Sequence, residues 1–194
     1  MAEGTRGLSQ LDLDRDGAAL HRGVAAGFLD ALGIAFGQGP SPGRRVKSLA
    51  GLDSVLGRHG PVGKIAASHL GPKSRPVRAI AFDKTEGANW SLGWHQDRTI
   101  CVKQRVDLPG FGPWTVKQGI DHVEPPFDLL ARMLTVRIHV DSVDIENAPL
   151  RIALGSYANG LIPESDIALQ VERSEMHECL AQAGDVWVYR TPIL

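Results

Sequence analysis

A chain of 194 residues is the size of one ordinary domain, and 43% apolar residues are enough for a core without disulfide or metal staples. A net charge of −1 with scattered arginines gives no long-range pull toward nucleic acid or an anionic membrane, and Arg44, Arg45 and Lys47 read as a solvated turn. Two distant cysteines, Cys101 and Cys179, a charged N-terminus without an apolar signal core, and no run near ~20 apolar residues exclude a disulfide scaffold and a membrane span, and place the chain in a reducing cytosol.

In chain order, residues 18–36 carry Leu20, Val24, Phe28, Leu32 and Phe36 at helical spacing and read as a helix, with Asp14 or Asp16 at its start. Residues 37–45 are turn chemistry and read as a loop. Residues 48–56 and 61–70 read as short helices, the second with Pro61 in its first turn. From Pro76 onward Val77, Ala79 and Ala81 alternate with Arg78, Ile80 and Phe82, as in a strand. A Gly- and Trp-rich stretch, 87–97, leads to a second strand at 99–106, in which Cys101 is expected as a small core residue. Residues 108–126 hold many glycines and prolines with little periodicity, so they are expected as a long loop forming part of a lid.

Residues 127–133 suit one or two helical turns. The cleanest strand is 134–141, with Leu134, Val136, Ile138 and Val140 on one face and Thr135, Arg137, His139 and Asp141 on the other. Residues 150–154 are a short apolar run, 167–171 read as a strand, and 174–182 as a helix or irregular turn. Ala183-Gly184-Asp185 turns into a final strand at 186–191. The fold class expected is mainly β with flanking helices (α+β). It is one domain, helical over 1–75, with a sandwich or jelly roll over 76–194, and not a βαβ fold. There is no Gly-rich phosphate loop, no CxxC pair and no nucleophile elbow.

Two tripeptides, His95-Gln96-Asp97 and His139-Val140-Asp141, put an imidazole and a carboxylate two residues apart. On an extended chain such residues share a face, so the pair can grip one ion. A second histidine from another strand would complete the facial triad of non-haem iron(II), which leaves positions open for cosubstrate and oxygen. His122 and His139 are the remaining histidines placed to be considered as ligands, and His139 shares a face with Arg137 and Thr135; His21, His59, His69 and His177 fall in helical or turn segments.

The stretch Trp90-Ser91-Leu92-Gly93-Trp94-His95-Gln96-Asp97 resembles the iron-binding strand of the phytanoyl-CoA dioxygenase family, in which a Trp-His-x-Asp run is typical. Asn147-Ala148-Pro149-Leu150-Arg151 followed by Gly155-Ser156 is similar to that family's Asn-Gly-Pro-Leu-Arg and Pro-Gly-Ser-His segments, and Ala183-Gly184-Asp185-Val186 to the turn before its last ligand strand. The resemblance covers 82–194. Ala148 replaces the usual Gly, Leu154 a common Pro, and Tyr157 a common His. In the family the distal histidine follows the last strand, and an arginine further on holds 2-oxoglutarate. The given sequence ends at Leu194, one position short of that histidine, and is expected to continue.

The resemblance implies a double-stranded β-helix enzyme using Fe(II), 2-oxoglutarate and molecular oxygen to hydroxylate a small organic substrate. His95 and Asp97 would be two of the iron ligands. Thr135, Arg137, Lys84 and Asn89 are candidates to hold the cosubstrate, with Gln96 close enough to support the site or simply to pack. Trp90, Trp94 and Trp114 are candidate pocket walls or packing residues. The alternative is a non-catalytic jelly roll that binds a small molecule or partner. A cupin-type enzyme is a further rival, but the Gly-rich motif with two close histidines and a Glu is missing from the sequence.

Overall fold

The structure, a computed structural model, describes residues 11–37, 41–46, 49–83 and 92–194. Its elements run β1 (Ala18–His21), α1 (Leu29–Phe36), β2 (Ser41–Arg45), α2 (Asp53–Leu56), α3 (Pro61–Leu70), β3 (Ile80–Asp83), β4 (Ile100–Cys101) and β5 (Trp114–Lys117). They continue with β6 (Ile120–Val123), α4 (Phe127–Ala131), β7 (Leu134–Ile138), β8 (Leu150–Ala153), α5 (Ile167–Glu172), β9 (Met176–Cys179) and β10 (Val186–Arg190). The fold is mixed α and β, with antiparallel strands in small sheets ordered β1-β10-β7, β2-β3, β4-β6-β5 and β8-β9. Among the described residues no helix is long and apolar enough to cross a membrane.

Strand alternation on β7 and β10 organises the layers. Val186 and Val188 turn one way, with Leu134, Val136, Ile138 and Val140, onto Leu32, Leu52, Val55 and Val62 of the N-terminal helical region. Trp187 turns the other way, onto Ile152, Cys179 and Ala181 of the β8-β9 region, with Ala18, Ile193 and the flanking Leu20 and Tyr189. The sheet β1-β10-β7 therefore has helices on one face and the β8-β9 pair on the other, and only the helix-side face is wholly apolar along β7.

Several elements differ from the sequence expectation. Residues 18–36 do not form one helix: Gly17 and Gly23, both at positive φ, bracket a strand that pairs with β10, and α1 begins only at Leu29. Asp14 and Asp16 therefore cap no helix; Asp16 accepts from the Asp12 amide and pairs with Arg15, which holds its carboxyl below the usual range. The expected loop at 37–45 contains β2, paired with β3, so the N-terminal third is not purely helical. The long loop at 108–126 contains the hairpin β5–β6, which turns through Gln118 and Gly119, both at positive φ as a tight two-residue hairpin requires.

The 99–106 strand is confined to two residues, and Cys101 is half-buried, its thiol donating to the Val77 carbonyl rather than filling the core. Residues 167–171 are helical because Ile167 and Val171, four apart, pack together on Ala153, Ile162 and Leu194, while Leu169 faces out. The 174–182 segment is a strand, β9, with Cys179 buried against β8.

The turn before β10 ties the N-terminal strand to the last one. Asp185 is buried; one carboxylate oxygen accepts from the Gly23 amide at 2.7 Å and the other from the Gln182 amide at 2.9 Å, with Arg22 at 3.5 Å. Beside it Gly184 sits at φ +88°, its carbonyl accepting from the Ala25 amide at 2.8 Å, and a Cβ there would lie 2.6 Å from the Ala26 Cα. Left-handed backbone and a close neighbouring chain both demand glycine. Gly184→Ala should destabilise the protein by about 1–3 kcal/mol in urea unfolding, more than Gly119→Ala, which has positive φ but open space; equal effects would show that the close approach is harmless.

Candidate functional site

The His95-Gln96-Asp97 run lies outside the helices and strands, and its middle residue anchors it. Gln96 is 4% exposed; its amide donates to the Pro192 carbonyl at 2.7 Å and the Gly160 carbonyl at 3.0 Å, and its oxygen accepts from the Ile162 amide at 2.9 Å. Both N–H donors are thus committed to main chain. Gln96 is thus turned inward to the 160–162 loop and the Pro192 segment, while His95 is exposed and Asp97 half-buried on either side of it.

His95 is exposed, and its Nδ1 lies 2.7 Å from the Gly93 carbonyl oxygen. A carbonyl only accepts, so Nδ1 carries the hydrogen of this bond, and the neutral ring then presents the Nε2 lone pair outward. Metal-binding histidines have this arrangement, one nitrogen tied to a backbone acceptor and the other free for the ion. Asp97 is half-buried. The two residues fit half of a facial triad; among the described residues no group of three His, Cys, Asp or Glu side chains is placed to hold a metal.

Beside Asp97 lies the face of β7 and β10 that looks away from the helices. Thr135 stands opposite Tyr189 and Arg137 opposite Trp187, so these four share a face. The Thr135 hydroxyl is 3.2 Å from that of Thr191. The Tyr189 phenol is pushed above its usual range by burial first; Arg137 and Arg78 pull it down, and Asp97 and Cys179 raise it further. The structure therefore gathers Asp97, Arg137, Arg78 and Tyr189 into one electrostatic neighbourhood. Among the described residues Arg137 makes no ion pair with Asp97 or Asp141, and its guanidinium stands 6.0 Å from the Phe82 ring centre. Cys179, on the same side, is pushed up to about 12 by burial.

The other candidates fall elsewhere. Trp94 packs with Ala153, Ile162, Ile167 and Leu194, under the Arg151 guanidinium at 5.5 Å. Trp114 is on β5 with Arg105 at 5.2 Å over its ring. Lys84, Asn89 and Trp90 lie outside the described residues. His122, read from the sequence as a surface or loop-packing residue, packs inside: it is 0% exposed, held by Nδ1 at 2.9 Å from the Ile120 carbonyl. Sequence reasoning missed Tyr189 and Arg78; alternation within 186–191 would have put Tyr189 on the face of Thr135 once β7 and β10 were paired. Scans of protein-family models, of curated proteins and of solved structures find no match to this chain.

His139 is 5% exposed and its ring is pushed down to about 4, by burial first and then by Arg137, with Asp185 opposing. Below its ordinary 6.5 the unfolded chain binds a proton that the folded chain refuses until about pH 4. Stability from this residue is therefore present above pH 6.5 and is lost as pH falls toward 4, by on the order of 3 kcal/mol. Urea unfolding at pH 7 and pH 5 should show a larger loss in wild type than in His139→Gln; equal losses would assign the acid sensitivity to other groups. Gln96→Leu should cost about 2–4 kcal/mol and speed hydrogen exchange at the Ile162 amide, and unchanged exchange there would remove the carboxamide as the anchor of this run.

Proposed function

We propose that this chain carries the His-x-Asp part of the iron site of an Fe(II)- and 2-oxoglutarate-dependent oxygenase, in a double-stranded β-helix like that of the phytanoyl-CoA dioxygenase family, acting on a small organic substrate. The observation that carries the reading is the His95 ring, tied through Nδ1 to the Gly93 carbonyl with Nε2 left to bind, two residues from the half-buried Asp97. The Gln96 bond to the Pro192 carbonyl adds to it, because it lays the segment after β10 against this run. In the family that the chain resembles, the distal histidine follows that segment.

Two further features support the resemblance. The family's usual Gly in its Asn-Gly-Pro segment corresponds to Ala148, and Ala148 sits at φ 44°, a left-handed backbone that glycine adopts without strain. Ser156 of the Gly-Ser pair is buried, its hydroxyl accepting from the Leu194 amide at 2.9 Å, so this motif braces the segment next to the site.

Bound iron and 2-oxoglutarate would supply oxidation of a C–H bond by dioxygen, with the cosubstrate decarboxylated to succinate. This chain's residues do the rest. His95 and Asp97 hold the metal, with the Gly93 carbonyl fixing the ring. Gln96 positions the run and does not touch the cosubstrate. Arg137, lacking a carboxylate partner among the described residues, and Thr135 offer a cation and a hydroxyl to an anionic cosubstrate on the face they share with Tyr189. The buried Tyr189 phenol stays protonated and can donate a hydrogen bond there.

Anaerobic addition of Fe(II) and then 2-oxoglutarate to the intact protein should give a weak visible charge-transfer band. Asp97→Ala should abolish both the band and iron retention, whereas Asp141→Ala should leave both in place. Iron content unchanged in Asp97→Ala, or lost only in His139→Ala, would put the site at the other tripeptide. No band in wild type would favour the non-catalytic binding reading.

A further inference from the structure

A cavity of about 290 Å³ lies between the β2-β3 pair and the β4-β6-β5 sheet, and its lining includes none of His95, Gln96 and Asp97. Three cations line it: Arg45 at the end of β2, Arg78 ahead of β3 and Lys103 after β4. Val77, Val102 and Ile120 supply apolar wall. None of its lining residues is acidic, and among the described residues none of the three cations has an ion-pair partner. Among the described residues the buried Arg45 Nε has no hydrogen-bond partner.

The charge reaches the floor of the cavity. His122 pairs across the strands with Cys101 and lies two residues from Ile120, so it shares their face. Its ring is pushed down by burial first; its bond to the Ile120 carbonyl opposes this, and Arg45, Arg78 and Lys117 add to the lowering.

We infer that this cavity is a binding site for the oxyanion group of a small molecule, a phosphate or a carboxylate with a short apolar body. Two guanidinium groups offer paired, planar donors to an oxyanion. The volume suits a headgroup with a few carbons rather than a whole nucleotide cofactor. The inference stands without iron and is tested without it.

Titration calorimetry of the metal-free intact protein with inorganic phosphate, and separately with butanoate, tests it. At least one probe should bind saturably at a single site, more weakly as sodium chloride is raised. Arg78→Gln and Arg45→Lys, which keeps the charge but has no Nε, should each weaken binding by about tenfold or more, while Arg132→Gln should not. Phosphate alone would name the phosphate class and butanoate alone the carboxylate class. Saturable binding of neither, or binding unchanged in both folded arginine variants, overturns the inference. Lys103→Gln, on an exposed side chain, carries the test if either arginine variant fails to fold.

Discussion

A buried carboxamide has two N–H donors and a carbonyl oxygen, and each one left unmatched counts against the folded state. Gln96 meets this requirement with three main-chain bonds reaching two separate segments, the 160–162 loop and the chain just after β10. The 92–99 run belongs to no strand, and Trp94, packed against Ile162 and Leu194, and the Arg98 bond to the Ile162 carbonyl hold it to the same loop. The imidazole and the carboxylate of the candidate site flank that buried amide. The candidate site thus depends on a residue that takes no part in its chemistry.

The termini of the described chain meet at the same place in the fold. The Asp12–Asp16 turn reaches the Gly155-Ser156 segment through the Gly155 amide and the Asp16 carbonyl, and the Tyr157 hydroxyl donates to the Asp14 carbonyl. Arg190 of β10 pairs with Asp14 from the other side. Tyr157, where the resembled family has His, is therefore used in docking the N-terminal turn.

What the sequence disclosed follows the strength of its local signals. Strand alternation made β7 legible, although it ends at Ile138 and not at 141, Pro61 marked the first turn of α3, and the Gly-Asp turn marked β10. β1 was hidden inside a helical pattern, since Leu20, Val24, Phe28, Leu32 and Phe36 recur every four residues while Gly17 and Gly23 bracket a strand. α5 was hidden in the opposite way, its Ile-x-Leu-x-Val run imitating strand alternation although only Ile167 and Val171 face inward. The pair at 95 and 97 was legible as a motif. The cluster around Tyr189 was not, because Asp97, Arg78 and Arg137 reach it from segments far apart in sequence, and pairing across strands cannot be read from one strand.

The two thiols sit in opposite circumstances. Cys179 is sealed between β8 and β10 and held protonated, so it is a poor nucleophile toward alkylating reagents. Cys101 is half-buried on the wall of the cationic cavity. A maleimide fluorophore or spin label added to the native protein would therefore attach at a single position, next to Arg78, without engineering. The molecule carries a built-in reporter of whatever enters that cavity, and blocking of the label by a bound anion would be visible in the labelling rate alone.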